Sequence, residues 1–257
     1  SPIMQNWFGM LKDNNENTFV EDRKNPPSSL QQASSEIFDV SSLNRAGHDV
    51  VVYTVNDLDN MNLLLELGVQ GIISDRPDLL LQAVQNFDGN KDGSPDYLDE
   101  NGLIDVTLFD AQGHRGARNL RPENTIPAME AALDNLMPTL ETDCGITLDG
   151  IPVLDHDPHI ESAKARKADD TPYNYENEVL IKDLTLADIQ NTFIADKILS
   201  GRPAQTNDLS LSPVSVEFSQ NNGFMSPYIM PSLQQLFDFV QFYIEYYKTG
   251  EGSNHPE

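Results

Sequence analysis

The chain has 257 residues, with 16 Lys and Arg against 41 Asp and Glu, a formal net charge of −25. Such a charge repels nucleic acid and anionic membrane surfaces and suits a soluble, salt-exposed or calcium-rich setting. One cysteine excludes an intramolecular disulfide, and no apolar run of about 18 residues offers a bilayer span. The length allows one large or two smaller domains with a sizeable core. Ser1 is not followed by a basic-then-apolar segment, so a signal peptide is expected to have been removed or never present.

Residues 1–46 are polar, rich in Asn, Ser and Pro, and weakly periodic. VVVYTV (50–55) is a β-branched run that predicts a buried strand. Asn56 or Asp57 can cap a helix carrying Leu58, Met61, Leu64 and Leu65 on one face, with Gly68 as its stop. GIIS (71–74) predicts a second strand, and Pro77 opens a helix through RPDLLLQAVQNF. Strand, helix, strand, helix at this spacing predicts a parallel βαβ unit.

DGNKDGSPDYLDENG (88–102) places oxygen-bearing side chains at loop positions 1, 3, 5, 7, 9 and 12: Asp88, Asn90, Asp92, Ser94, Asp96 and Asp99. Gly93 falls at position 6, where an EF-hand-type loop turns sharply. Asp at position 12 has a shorter reach than the usual Glu. A solvated acidic linker has the same composition, but the complete ligand pattern favours one structural Ca²⁺ that staples the segments on either side.

Beyond 103 strands and helices alternate again. LFDAQGH (108–114) predicts a strand ending at His114. Thr125 can cap a helix with Ile126, Met129, Leu133 and Leu136 facing inward. TLETD (139–143) predicts a strand with Glu141 and Asp143 on one face. IPVLDHDPHI (151–160) clusters Asp155, His156, Asp157 and His159 after a short strand. LTLADIQ (184–190) and PSLQQLFDFVQFYIEYYK (231–248) predict helices.

In a parallel α/β fold, functional side chains gather at the carboxyl ends of strands. These ends carry His114 and Arg115, then Glu141 and Asp143, then His156. Two histidines serve as general acid and base. Two carboxylates aimed together call for a divalent cation, and Arg115 suits an anionic phosphate. The composite chemistry is metal-assisted phosphoryl transfer.

HRG (114–116), PENT (122–125), ETD (141–143), TLDGIPVL (147–154) and HD (156–157) resemble the opening of the glycerophosphodiester phosphodiesterase family. The resemblance implies a (β/α)8 TIM-type barrel that cleaves glycerophosphodiesters to glycerol phosphate and an alcohol. It makes His114 and His156 the acid/base pair and Arg115 a phosphate contact. Glu141 and Asp143 become ligands of one Ca²⁺ or Mg²⁺, with Glu123 a supporting residue. Residues 46–80 resemble the carboxyl-terminal end of the same family, with Tyr53 where tryptophan is common and Ser74 where threonine is common. The family's later E-x-K strand has no convincing match; Glu217 in VSVEF is the nearest strand carboxylate.

The chain thus presents the end of a barrel (1–86), a calcium-type linker (87–102) and the beginning of a barrel (103–257). A piece of a tandem protein is favoured over a circularly permuted barrel, because the predicted strands fall short of eight. The implied partners are a small-molecule diester and the missing barrel segment or another chain, and the implied location is secreted or periplasmic. Two alternatives stand beside this reading: a non-catalytic secreted calcium-binding module on a barrel scaffold, and a sphingomyelinase-D-like or phospholipase activity that stops at a cyclic phosphate.

Overall fold

The computed structural model describes residues 3–11 and 39–249, so most of the polar stretch 1–46 lies outside the described residues. Its contacts divide the chain into two compact units, residues 1–114 with 135–139, and residues 115–134 with 140–257. The acidic loop lies wholly within the first of these.

The first unit is built on a parallel sheet. Strands β1 (Ile3–Trp7), β2 (Asp49–Tyr53), β3 (Gly71–Ser74) and β4 (Asp110–Gly113) lie side by side in that order. Helix α1 (Val40–Arg45) precedes β2, α2 (Leu58–Leu67) joins β2 to β3, and α3 (Pro77–Asn86) follows β3. The expected βαβ unit is therefore present. Asp57 is the residue that caps α2, its side chain accepting from the Asn60 N–H, and Gly68 ends the helix at φ 77°. Met61, Leu64 and Leu65 are buried as expected, and Leu63 joins them.

β1 was not anticipated. It has no buried residue, so no apolar alternation marks it. Its pairing with β2 runs through the whole strand, from Ile3 beside Asp49 to Trp7 beside Tyr53. A fifth strand, β5 (Thr139–Leu140), closes the sheet order beyond β4. The Thr139 hydroxyl donates to the Asp110 carboxylate at 2.7 Å.

The acidic loop is fastened at its base by aromatic rings. Phe87 stacks on Tyr97 with centroids 5.4 Å apart, and Tyr97 tilts against the buried Phe109 at 4.9 Å. Backbone bonds from Asp96 N–H to the Phe87 carbonyl and from Asp105 N–H to the Tyr97 carbonyl, both 2.9 Å, tie the same points.

In the second unit, helix α4 (Ile126–Asp134) is followed by the hairpin β6 (Cys144–Ile146) and β7 (Pro152–Leu154). A second antiparallel pair, β8 (Arg166–Lys167) and β9 (Phe193–Ile194), flanks α5 (Leu186–Thr192), which Thr185 and Asp188 cap reciprocally. Helices α6 (Pro213–Asn221) and α7 (Leu233–Thr249) complete it. One core gathers Ile126, Met129, Leu154, Val214, Phe218, Leu236 and Phe239. Another gathers Val153, Ile160, Ile181, Ile189, Phe193 and Met230.

Three local expectations are corrected. The strand through 139–143 is only Thr139–Leu140, and Glu141 to Asp143 run in irregular backbone. Leu136 lies past the end of α4 in left-handed backbone at φ 56°, not on its inner face. VSVEF is helical, with Glu217 exposed on α6 and so outside any strand-end ligand set. The helix starts because Pro213 supplies a preset φ at its first position. Its amino end is also capped from outside: Glu130 on α4 accepts from the Val214 N–H at 3.0 Å and the Ser215 N–H at 2.7 Å.

Candidate functional site

The first candidate, His114, stands directly after β4, at the carboxyl edge of the parallel sheet. Its backbone N–H donates to the Ser74 carbonyl at 2.9 Å, which extends the β3 pairing by one residue. Its Nδ1 lies 2.5 Å from Oδ1 of Asp75, the residue that follows β3. A carboxylate only accepts, so the Nδ1–H of His114 donates to Asp75. Asp75 is 3 % exposed. Its Oδ2 accepts from Asn56 Nδ2 and its N–H donates to Asn56 Oδ1, both at 2.9 Å. Ser74 donates its hydroxyl to the Val55 carbonyl at 2.5 Å and accepts from the Arg76 N–H at 2.9 Å. The ends of β2, β3 and β4 thus lock one acceptor against one imidazole.

Asp75 was not singled out from the sequence, because 39 residues separate it from His114. The available signal was positional. It is the first carboxylate past a predicted strand, where functional groups collect.

The other candidates belong to the second unit. Arg115 sits at φ 51° and Gly116 at φ 79°. A Cβ on Gly116 would fall 2.5 Å from the Ala128 carbonyl carbon, so only glycine lets this loop pass so close to α4. Arg115 then becomes a hub. Its N–H donates to Glu141 Oε2 at 3.0 Å and its Nη1 to Glu123 Oε1 at 2.7 Å. Its Nε is 3.1 Å from Asp143 Oδ2. Glu141, Asp143, Glu123 and Arg115 are therefore brought together, although the strand expected to align the carboxylates is absent.

Glu123 also pairs with Arg118. Burial alone would raise its carboxyl, yet Arg118, Arg115 and Lys164 hold it below the ordinary value. Asn124, at φ 55°, accepts from the Thr142 hydroxyl at 2.9 Å, which ties PENT to ETD. Thr125 turns its hydroxyl to the Pro122 carbonyl at 2.6 Å.

Lys164 extends the hub toward the second histidine and was not foreseen. Its ammonium lies 2.6 Å from Asp155, 2.9 Å from Asp157, 3.5 Å from Glu161 and 3.8 Å from Glu123. Burial pulls its pKa down, but these carboxylates hold it above the usual lysine value. Asp155 is raised by burial against the pull of Lys164. Burial likewise pushes Asp157 up, and Lys164 and His156 outweigh it and hold it low. Asp157 in turn receives His156, Nδ1 to Oδ1 at 3.1 Å. The His156 side chain is 47 % exposed. His159 is not part of this cluster; its backbone bridges to Leu180.

Glu141 and Asp143 offer the hard oxygens a divalent cation prefers. Asp143 Oδ2 is buried and faces the Arg115 guanidinium at 3.1 Å without a well-aligned hydrogen bond. Among the described residues, however, no group of three or more His, Cys, Asp or Glu side chains is placed to hold a metal.

In the acidic loop, Gly93 has φ 92°, the turn expected at position 6. Asp88 accepts from the N–H groups of Asp92 at 3.1 Å and Gly93 at 2.9 Å, and Asn90 from Asp92 at 2.8 Å. Asp92 accepts from Ser94 N–H at 2.9 Å, and Asp96 from Gly89 N–H at 2.8 Å. Asp99 instead accepts from the N–H groups of Asn101 and Leu103, both at 2.9 Å, and so organises the following turn.

A family model described as the glycerophosphoryl diester phosphodiesterase family matches residues 20–79 and 114–248. A crystal structure of a glycerophosphoryl diester phosphodiesterase from Silicibacter pomeroyi DSS-3 is 26% identical, covering 52% of this chain and 41% of that one, with a TM-score of 0.40. The chain thus spans less than half the length of that relative. No curated protein matches it.

Proposed function

Because the chain belongs to the glycerophosphoryl diester phosphodiesterase family, whose fold is a TIM-barrel type of α/β structure, we propose that it hydrolyses glycerophosphodiesters to glycerol phosphate and an alcohol. The observation that carries this reading is the buried Asp75–His114 pair at the carboxyl edge of the parallel sheet. A histidine oriented by a buried carboxylate at a strand end is a common form of general acid or base.

In this proposal one histidine takes the proton from a free hydroxyl of the substrate glycerol as that oxygen attacks phosphorus. The other gives a proton to the departing alcohol. Water then opens the cyclic phosphate with the two roles exchanged. Arg115, the expected phosphate contact, pairs with Glu123 and reaches Glu141 and Asp143. A divalent ion, Ca²⁺ or Mg²⁺, held by Glu141 and Asp143 would neutralise the charge that builds on the phosphoryl oxygens. We assign the loop residues Asp88, Asn90, Asp92, Ser94 and Asp96 to one structural Ca²⁺, with Asp99 as the weakest contributor because of its turn contacts. A calcium-stapled, strongly acidic chain suits a secreted or periplasmic setting.

The two matched blocks, 20–79 and 114–248, lie on either side of the acidic loop. They support reading 1–86 as the end of one barrel and 103–257 as the start of another. On that reading full activity needs further barrel strands, from a longer chain or a second one. The test compares turnover of glycerophosphocholine by residues 1–257 and by the full reading frame, with Ca²⁺ or Mg²⁺ added. Activity in the longer protein and little in the shorter supports both parts. No phosphodiesterase activity in either overturns the enzymatic reading.

A further inference from the structure

Lys164 is a buried ammonium that the proposed chemistry does not use. Its side chain is 11% exposed, and two acceptors hold it closely, Asp155 Oδ1 at 2.6 Å and Asp157 Oδ2 at 2.9 Å. The backbone around it is fixed as well. Its N–H donates to the Glu161 carbonyl at 3.0 Å, and its own carbonyl accepts from the Lys197 N–H at 3.2 Å. Two residues earlier, Ser162 donates both its N–H and its hydroxyl to Glu178 at 2.7 Å.

His156 is the opposite case, a half-exposed ring whose partner is its own neighbour in sequence. An exposed pair of that kind holds its geometry poorly by itself. Asp157 is where the two meet. Its Oδ1 accepts from the His156 Nδ1–H at 3.1 Å, while its Oδ2 accepts from the Lys164 ammonium. A single carboxylate plane therefore passes the fixed position of the ammonium on to the imidazole. The Asp157 N–H also donates to Asp155 Oδ1 at 3.2 Å, so the second partner of Lys164 holds the same residue by its backbone. Burial pushes the Asp157 carboxyl up, and the Lys164 hydrogen bond, ahead of that from His156, keeps it low. We propose that Lys164 is the positioning residue of the second histidine: through Asp157 it keeps the proton of the neutral His156 ring on Nδ1 and reserves Nε2 for exchange with substrate. This deepens the phosphodiesterase reading and rests on it only for the catalytic role of His156.

Histidine labelled with ¹⁵N in the 257-residue protein reports the tautomer without any turnover, and His156→Gln identifies the His156 signals. At a pH where that ring is neutral, the native protein should carry its proton on Nδ1. Lys164→Met strands the buried Asp155, so the folded comparison adds Asp155→Leu. This double variant should raise the Nε2–H population of His156 severalfold, whereas Lys164→Arg, which still donates to Asp157, should not. In a catalytically active form, the double variant should lower kcat for glycerophosphocholine by about two- to fivefold, the worth of one exposed pair, with KM unchanged. Lys164→Arg should restore most of that loss. A native His156 ring with its proton on Nε2, or a tautomer balance unmoved in the double variant, overturns the positioning role even if diesters are hydrolysed. The expected tautomer shift with no hydrolysis of any diester sustains that role and removes the phosphodiesterase reading instead.

Discussion

The two proposed catalytic histidines are held in opposite ways. His114 is mostly buried and leans on Asp75, which strand ends and Asn56 keep in place. His156 is half exposed and leans on Asp157, which it shares with Lys164. In the first case geometry comes from backbone pairing at the strand ends, and the Asp75 hydrogen bond contributes to the orientation. In the second it comes from a mesh of charges running from Arg115 through Glu123 and Lys164 to Asp155 and Asp157. A buried partner should therefore be far less replaceable than one member of an exposed pair.

The sharpest way to break that comparison is to remove the imidazoles. In an active form, His114→Ala and His156→Ala should each lower kcat by about 10²–10⁴-fold, the usual worth of general acid–base catalysis. Near-normal turnover in both would end the two-histidine assignment. Next comes the mesh. Lys164→Met leaves Asp155 buried without its cation and should cost about 3–5 kcal/mol in urea unfolding. Adding Asp155→Leu should restore much of that loss; a double variant as unstable as the single one would show that packing, not charge, dominates.

Among the described residues, the buried Glu130 carboxylate is met by hydroxyl and backbone donors and by no cation. Burial pushes it from 4.5 up to about 7, against the pull of the Ser215 and Val214 donors. Since its folded pKa is raised, its contribution to stability is full below 4.5 and is lost as pH rises through about 7. The loss corresponds to roughly 3 kcal/mol. Unfolding midpoints at acidic and alkaline pH should show that slope in the native protein and a flatter one in Glu130→Gln, and equal slopes would remove Glu130 as the cause. The smallest effects test the two histidine partners directly. Asp75→Asn should slow kcat by about 10–100-fold, the worth of a charge-assisted hydrogen bond. Asp157→Asn should cost under about tenfold, because that pair is exposed. The reverse ranking would invert the comparison.

Much of this was legible in the sequence because the signals were local. The β2–α2–β3–α3 run showed itself through β-branched runs, Asp57, Gly68 and Pro77, each acting within a few residues. Arg115, Glu123, Glu141 and Asp143, singled out from the strand-end pattern and the resemblance, lie together, but without the strand expected to align the two carboxylates. What stayed hidden depends on partners distant in sequence. β1 has no buried face to betray it. Glu217 looked like a strand residue because the β-branched run outweighed Pro213, and the Glu130 cap that favours the helix comes from 84 residues away. Asp75 and Lys164 take their meaning wholly from tertiary neighbours.

The ring stack at the base of the acidic loop has a consequence for how this chain could be cut and rejoined. Phe87, Tyr97 and Phe109 hold the two ends of the excursion together whatever lies between them. Closing a longer excursion costs only a slowly growing entropy. A foreign segment spliced between Gly89 and Ser94 would thus leave a ready-made aromatic clasp to seat it, and the sheet beneath would keep its register.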